Sequence, residues 1–233
     1  MTNILRVRVR FLILMAAVAA VTGAVVPGPW SAECQRERWQ KVDEIFEAMD
    51  VRPGATVADI GAGGGFFTTR LSKAVEPGGR VFAVDVSEEQ LQRLREKVAE
   101  AGIVNVTVVE GAADDPRLPP GTLDAALIVN AYHEMNEHQA MLGAIRRALK
   151  PDGRLVLVEP ISDRRRGETR AEQVRSHEIA PEHAVADARA AGFRIVGLRD
   201  PFTEREHDTE WLLVLQPEDT EPASPGATGR PRR

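Results

Sequence analysis

A glycine run, two spaced acids and a histidine–glutamate pair are the residues of this 233-residue chain that could do chemistry. Gly61-Ala62-Gly63-Gly64-Gly65 follows the apolar run Val57-Ala58-Asp59-Ile60 and precedes Phe66. A buried strand ending in bare backbone, with a helix to follow, turns tightly and exposes main-chain N–H groups to a ligand. About twenty residues later, at the usual spacing for such a motif, Val81-Phe82-Ala83-Val84 ends on Asp85. An acid at the tip of the neighbouring strand can accept both hydroxyls of a ribose, so the two features together point to a nucleoside-bearing cofactor. Asn130, Tyr132, His133 and Glu134 lie just past another apolar run, at the sheet edge where open α/β folds take ligands. His133 is the neutral-pH base of that group, with Glu134 beside it.

The glycine spacing selects among cofactors. A nicotinamide fingerprint needs a third glycine where Phe66 stands. The chain also lacks a Tyr-x-x-x-Lys pair, its single tyrosine, Tyr132, being followed four positions on by Asn136. The observed Gly-x-Gly-x-Gly of Gly61, Gly63 and Gly65, with Asp59 two residues ahead, resembles motif I of the class I S-adenosylmethionine (SAM)-dependent methyltransferases. Three further stretches in family order support the resemblance. They are Gly111-Ala112-Ala113-Asp114-Asp115 after a strand pattern, Asp124 through Asn130, and Leu149-Lys150-Pro151-Asp152-Gly153 leading to Glu159-Pro160. It covers roughly residues 36 to 217.

The resemblance implies a role for each matched position. Asp59 reaches the methionine end of SAM or orients the loop Gly61, Ala62, Gly63 and Gly65. Asp85, with Val86 after it, binds the ribose. Asp114, with small Ala113 before it, holds the adenine, and Asn130 borders the cofactor. His133 and Glu134 fall at motif IV, where acceptor-side residues gather. The sequence there is Asn-Ala-Tyr-His rather than the Asn-Pro-Pro-Tyr of amino-methylating members, which argues against a planar-amide acceptor. Methyl transfer from a sulfonium needs in-line positioning above all, and a base only when the acceptor must lose a proton. The expectation is therefore transfer to a small-molecule or lipid-like acceptor. A non-catalytic SAM- or nucleoside-binding protein is the alternative, with a nicotinamide oxidoreductase behind it. His177 and Glu178 are expected in a lid. No metal is expected, since His133 and His177 show no ligand spacing.

The elements that must position these residues follow from hydrophobic periodicity. Cys34 to Met49 reads as one amphipathic helix. Strands are expected at 56–60, 80–85, 106–109, 124–130, 154–159, 193–198 and 210–215, with a loop at 199–209. Helices are expected at 66–75, from Ser87 to the Ala101-Gly102 stop, at 137–149 and at 181–191. Ser162 to Ser176 reads as a polar insertion over the site. The alternation gives an α/β fold: a Rossmann-like three-layer sandwich with a mostly parallel seven-stranded sheet and one antiparallel strand.

Outside this domain, assigned to 34–216, the composition changes. Arg6, Arg8 and Arg10 precede the apolar stretch Phe11–Val21, the pattern of a signal peptide or membrane anchor within 1–33. It implies export or anchoring, with membrane contact through that segment, or a cytoplasmic protein if the start codon is misassigned. Residues 217–233 read as a disordered tail. A net charge of −5 without a concentrated basic face excludes nucleic acid as a partner. Cys34, the single cysteine, rules out an internal disulfide and a multi-cysteine metal site.

Overall fold

The computed structural model describes residues 32–218, so nearly all of the leader 1–33 and of the tail 217–233 lies outside the described residues, while Ala32 and Glu33 begin a helix and Pro217 ends a strand. Seven strands form one sheet: β1 (Thr56–Ile60), β2 (Arg80–Asp85), β3 (Val106–Glu110), β4 (Leu123–Val129), β5 (Leu149–Ile161), β6 (Phe193–Glu204) and β7 (Thr209–Pro217). Their order is β3-β2-β1-β4-β5-β7-β6, with β7 antiparallel to both neighbours and the other pairs parallel. The helices are α1 (Ala32–Trp39), α2 (Val42–Met49), α3 (Phe66–Ala74), α4 (Glu88–Glu100), α5 (His138–Ala148), α6 (Arg170–Arg175) and α7 (Pro181–Ala190).

The central strands are apolar on both faces because helices cover both. On one face Val57, Leu127, Val156 and Leu212 pack against Ile45 and Met49 of α2 and Phe67 and Leu71 of α3. Alternate residues Ala58, Ile128, Leu157 and Leu213 turn to the other face, against Leu142 and Ile145 of α5 and Ala184 and Ala188 of α7. β1 pairs with β2 on one side and β4 on the other, so the strand order reverses between β1 and β4. The carboxyl ends of these strands border the crevice where doubly wound sheets take ligands.

Three expectations change. The predicted helix 34–49 is two helices: Lys41 adopts a left-handed conformation (φ 49) between them. Buried Gln40 reaches Glu210 (3.4 Å) and the Lys41 ammonium donates to the Phe202 carbonyl (2.8 Å), so tertiary bonds interrupt the helical period. The predicted loop 199–209 is mostly strand. β6 continues to Glu204 with Phe202 and Thr203 buried, and its ladder slips at Asp200-Pro201, where proline has no N–H to give. The polar stretch 162–176 contains α6, which opens with a capping box between Thr169 and Glu172. Among the described residues no helix is long and apolar enough to cross a membrane.

Candidate active site

The glycine loop is built by backbone. The Gly61 and Ala62 N–H groups both donate to the Val84 carbonyl, at 2.8 and 3.0 Å, which draws the loop against the end of β2. Gly61 has φ +76, and a Cβ there would stand 2.6 Å from the Ala131 Cβ, so the turn admits no side chain. At Gly65 (φ +75) an added Cβ would meet Leu94 at 2.3 Å, which lets α4 close on the start of α3.

Asp85 sits where the sequence placed it, at the end of β2. One carboxylate oxygen accepts the Gly63 N–H (2.8 Å) and the other accepts the Ser87 N–H (2.9 Å). An ionised carboxylate offers about four lone-pair sites, so each oxygen retains one for a ligand hydroxyl. Ser87 caps α4 by accepting the Gln90 N–H (3.4 Å), while the Gln90 side chain faces the cavity instead of completing a capping box.

These loops enclose a cavity of about 580 Å³. Of the predicted cofactor residues, Gly61, Gly63, Asp85, Val86, Ala113 and Asn130 line it. Asp59, Ala62, Gly65 and Asp114 do not line it directly. Buried Asp59 accepts the Thr68 hydroxyl (2.6 Å) and so ties β1 to α3. Asp114 is exposed beside the cavity, and its neighbour Asp115 forms the turn by accepting the Arg117 N–H at 2.7 Å.

Beyond Asn130, itself left-handed at φ 54, the chain makes a 3-10 turn over Tyr132–Glu134. Fully buried Glu159, near the end of β5, organises that turn. One of its oxygens accepts the Ala131 and Tyr132 N–H groups (2.7 and 2.6 Å), and the other bonds His133 Nδ1 at 2.6 Å. Burial opposes a charge on His133, but the Glu159 hydrogen bond and charge, with Glu134 adding to them, outweigh it and raise its pKa. The Tyr132 hydroxyl donates to Asp187 (2.7 Å), which also receives Arg170 (2.5 Å), so α6 and α7 anchor the turn from the other side.

Glu134 lines the cavity, and His133 stands behind it, with its side chain 2% exposed. His133 Nε2 lies 3.7 Å from a Glu134 oxygen, and His177 Nδ1 lies 3.6 Å from the same oxygen. Residues without a ligand spacing in sequence thus converge in space. Glu178, predicted in the lid with His177, turns away and accepts the Ser162 N–H and hydroxyl, both at 2.7 Å.

Sequence reasoning missed several liners. Met135 and Asn136 continue the His133-Glu134 segment into the cavity, and Met141 reaches it from α5, where its periodicity reads as plain core. Glu159 was legible only as the end of a strand. Its signal is an acid closing an apolar run, the same pattern that exposes Asp85.

The family profile described as a methyltransferase domain matches residues 57–153. A ubiquinone/menaquinone biosynthesis C-methyltransferase of Pasteurella multocida is 35% identical over 122 residues, covering 51% of this chain and 46% of that protein. A nocamycin O-methyltransferase of Saccharothrix syringae is 30% identical over 117 residues, covering 50% of this chain and 42% of that protein. The matched region therefore spans less than half the length of these relatives. The crystal structure of a SAM-dependent methyltransferase from Aquifex aeolicus superposes with a TM-score of 0.65 at 24% identity, covering 78% of this chain and 92% of that one, and bears out the fold.

Proposed function

We propose that this chain, whose residues 57–153 match the methyltransferase-domain profile, acts as a class I SAM-dependent methyltransferase and transfers a methyl group from SAM to a small-molecule or lipid-like acceptor. The observation that carries this reading is the lock between Asp85 and the glycine loop: the Gly63 N–H bond at 2.8 Å presents the acid and the bare backbone to one ligand. The cavity of about 580 Å³ falls within the range of small-molecule sites. A side chain at Gly61 would collide with Ala131 at the cavity wall, and Gly61, Gly63 and Asp85 line that cavity, so the residues present fit the nucleoside part of such a cofactor. Bound SAM supplies the activated methyl group. The protein's part is positioning: Asp85 orients the ribose, and Glu134, Met135 and Asn136 border the acceptor end. Relatives described as a ubiquinone/menaquinone biosynthesis C-methyltransferase and a nocamycin O-methyltransferase support a small-molecule acceptor. The basic-then-apolar leader supports placement outside the cytoplasm or at a membrane.

One observation favours the alternative of a SAM-binding protein without catalysis: His133 is bonded to Glu159 behind the cavity wall. Titration calorimetry of the full-length chain with SAM, S-adenosylhomocysteine and NAD tests the cofactor. SAM and S-adenosylhomocysteine are expected to bind, with affinity falling at least about tenfold in Asp85→Asn, which keeps an acceptor for the backbone but loses the charge. A folded chain that binds neither overturns the reading, and NAD binding in their place moves the oxidoreductase forward. SAM binding without transfer of labelled methyl to any small-molecule fraction favours the non-catalytic alternative.

A further inference from the structure

We infer that His133, Glu134 and His177 form a binding site for one zinc-type divalent metal ion at the rim of the cavity. The His133 and His177 nitrogens and a Glu134 oxygen all lie within 4.8 Å of one another. Two ligands of a tetrahedral zinc stand about 3.3 Å apart, given metal–ligand distances near 2.0–2.1 Å. The observed 3.7 Å from His133 Nε2 to Glu134 and 3.6 Å from His177 Nδ1 to Glu134 need only small rotations of exposed side chains to reach it. Two imidazoles and one carboxylate suit zinc and leave a fourth position for water or a donor atom of the acceptor.

Two independent features support the site. The first is the bond from His133 Nδ1 to buried Glu159 at 2.6 Å, which fixes the ring and leaves Nε2 as the nitrogen facing the other two donors. A metal-binding histidine characteristically donates its second nitrogen to a carboxylate in this way. The second is the backbone at His177. After α6, the His177 N–H bonds the Val174 carbonyl and the Glu178 N–H bonds the Gln173 carbonyl, a Schellman ending whose left-handed position (φ 57) is His177. Glycine is favoured there, and a side chain in that conformation costs about 1 kcal/mol. The chain places an imidazole at a position where glycine is cheaper, and that imidazole meets Glu134 and stacks edge-on to His133 with centroids 5.7 Å apart. Placing the ion on the acceptor side rests on the proposed methyltransferase reading, whereas ion binding itself does not.

The test is zinc titration of the full-length chain against a chromophoric chelator, with cobalt substitution read by visible absorption. One ion per chain is expected. Affinity should fall at least tenfold in Glu134→Gln and in His177→Gly, and be unchanged in His207→Ala, an exposed histidine outside the trio. His177→Gly relieves the left-handed backbone, so its melting temperature should hold or rise while metal affinity falls, which separates a ligand from a structural histidine. Cobalt should give d–d bands that disappear in His177→Gly. No saturable site, or zinc affinity equal to wild type in His177→Gly, overturns the proposal. SAM binding measured on the same samples keeps the two readings apart: metal without SAM refutes only the methyltransferase reading, and SAM without metal refutes only this one.

Discussion

Single residues decide whether the cofactor loop can exist. Gly61 combines φ +76 with a neighbour, the Ala131 Cβ, 2.6 Å from where its own Cβ would be. Gly61→Ala therefore meets backbone strain and a steric clash together, each worth about 1–2 kcal/mol. The expected outcome is a loss of about 2 kcal/mol or more in urea unfolding and weaker SAM binding. Wild-type stability in this variant would show that the loop relaxes more easily than its geometry implies. The glycines, Asp85 and the His133-Glu134 pair were legible because each breaks a local rule: bare backbone after a strand, or an acid or imidazole at the tip of an apolar run. Glu159 breaks the same rule, yet its partners Ala131, Tyr132 and His133 lie 26 to 28 residues away. No spacing in the sequence encodes that pairing.

Elements hold the acceptor-side turn from two directions. Glu159 of β5 bonds its backbone, and Asp187 of α7 takes the hydroxyl of fully buried Tyr132 at 2.7 Å. Tyr132→Phe removes that bond and leaves Asp187 with Arg170, so a loss of about 1 kcal/mol is expected by urea unfolding. No change would mean that the turn is held by Glu159 alone. Strand and helix types were legible from periodicity wherever an element buries a regular face, as β1, β2 and α4 do. The misreadings at 34–49 and 199–209 share a cause. The Lys41 ammonium of the first segment donates to the Phe202 carbonyl of the second at 2.8 Å, so long-range bonding overrode the local pattern at both ends of that contact.

At the scale of the whole molecule, buried charge ties stability to pH. Glu210 is 1% exposed, and burial raises its pKa; Arg205 and the Thr203 hydroxyl pull it back, while nearby Glu159 and Asp208 push it further up. The native state thus holds this proton more tightly than the unfolded chain does. The resulting stability is full below the ordinary value of 4.5 and is lost as the pH rises through the native pKa. Glu210→Gln cannot ionise there, so its unfolding free energy should fall less steeply than wild type from below 4.5 towards neutrality. Urea unfolding across that range checks it, and parallel slopes for the two proteins would sink the argument.

By itself the sequence determined the sheet-and-helix alternation, the cofactor-type loop and its acid, because these rest on interactions within a strand–turn–helix unit or between consecutive strands. Residue type and spacing encode such interactions directly. Only the tertiary structure decided that Glu159 organises the His133 turn, that His177 returns to Glu134, and that α6 and α7 brace Tyr132. Those contacts join segments separated by dozens of residues. Their partners are chosen by how β5, α6 and α7 pack around the carboxyl end of the sheet, and packing leaves no period in the chain.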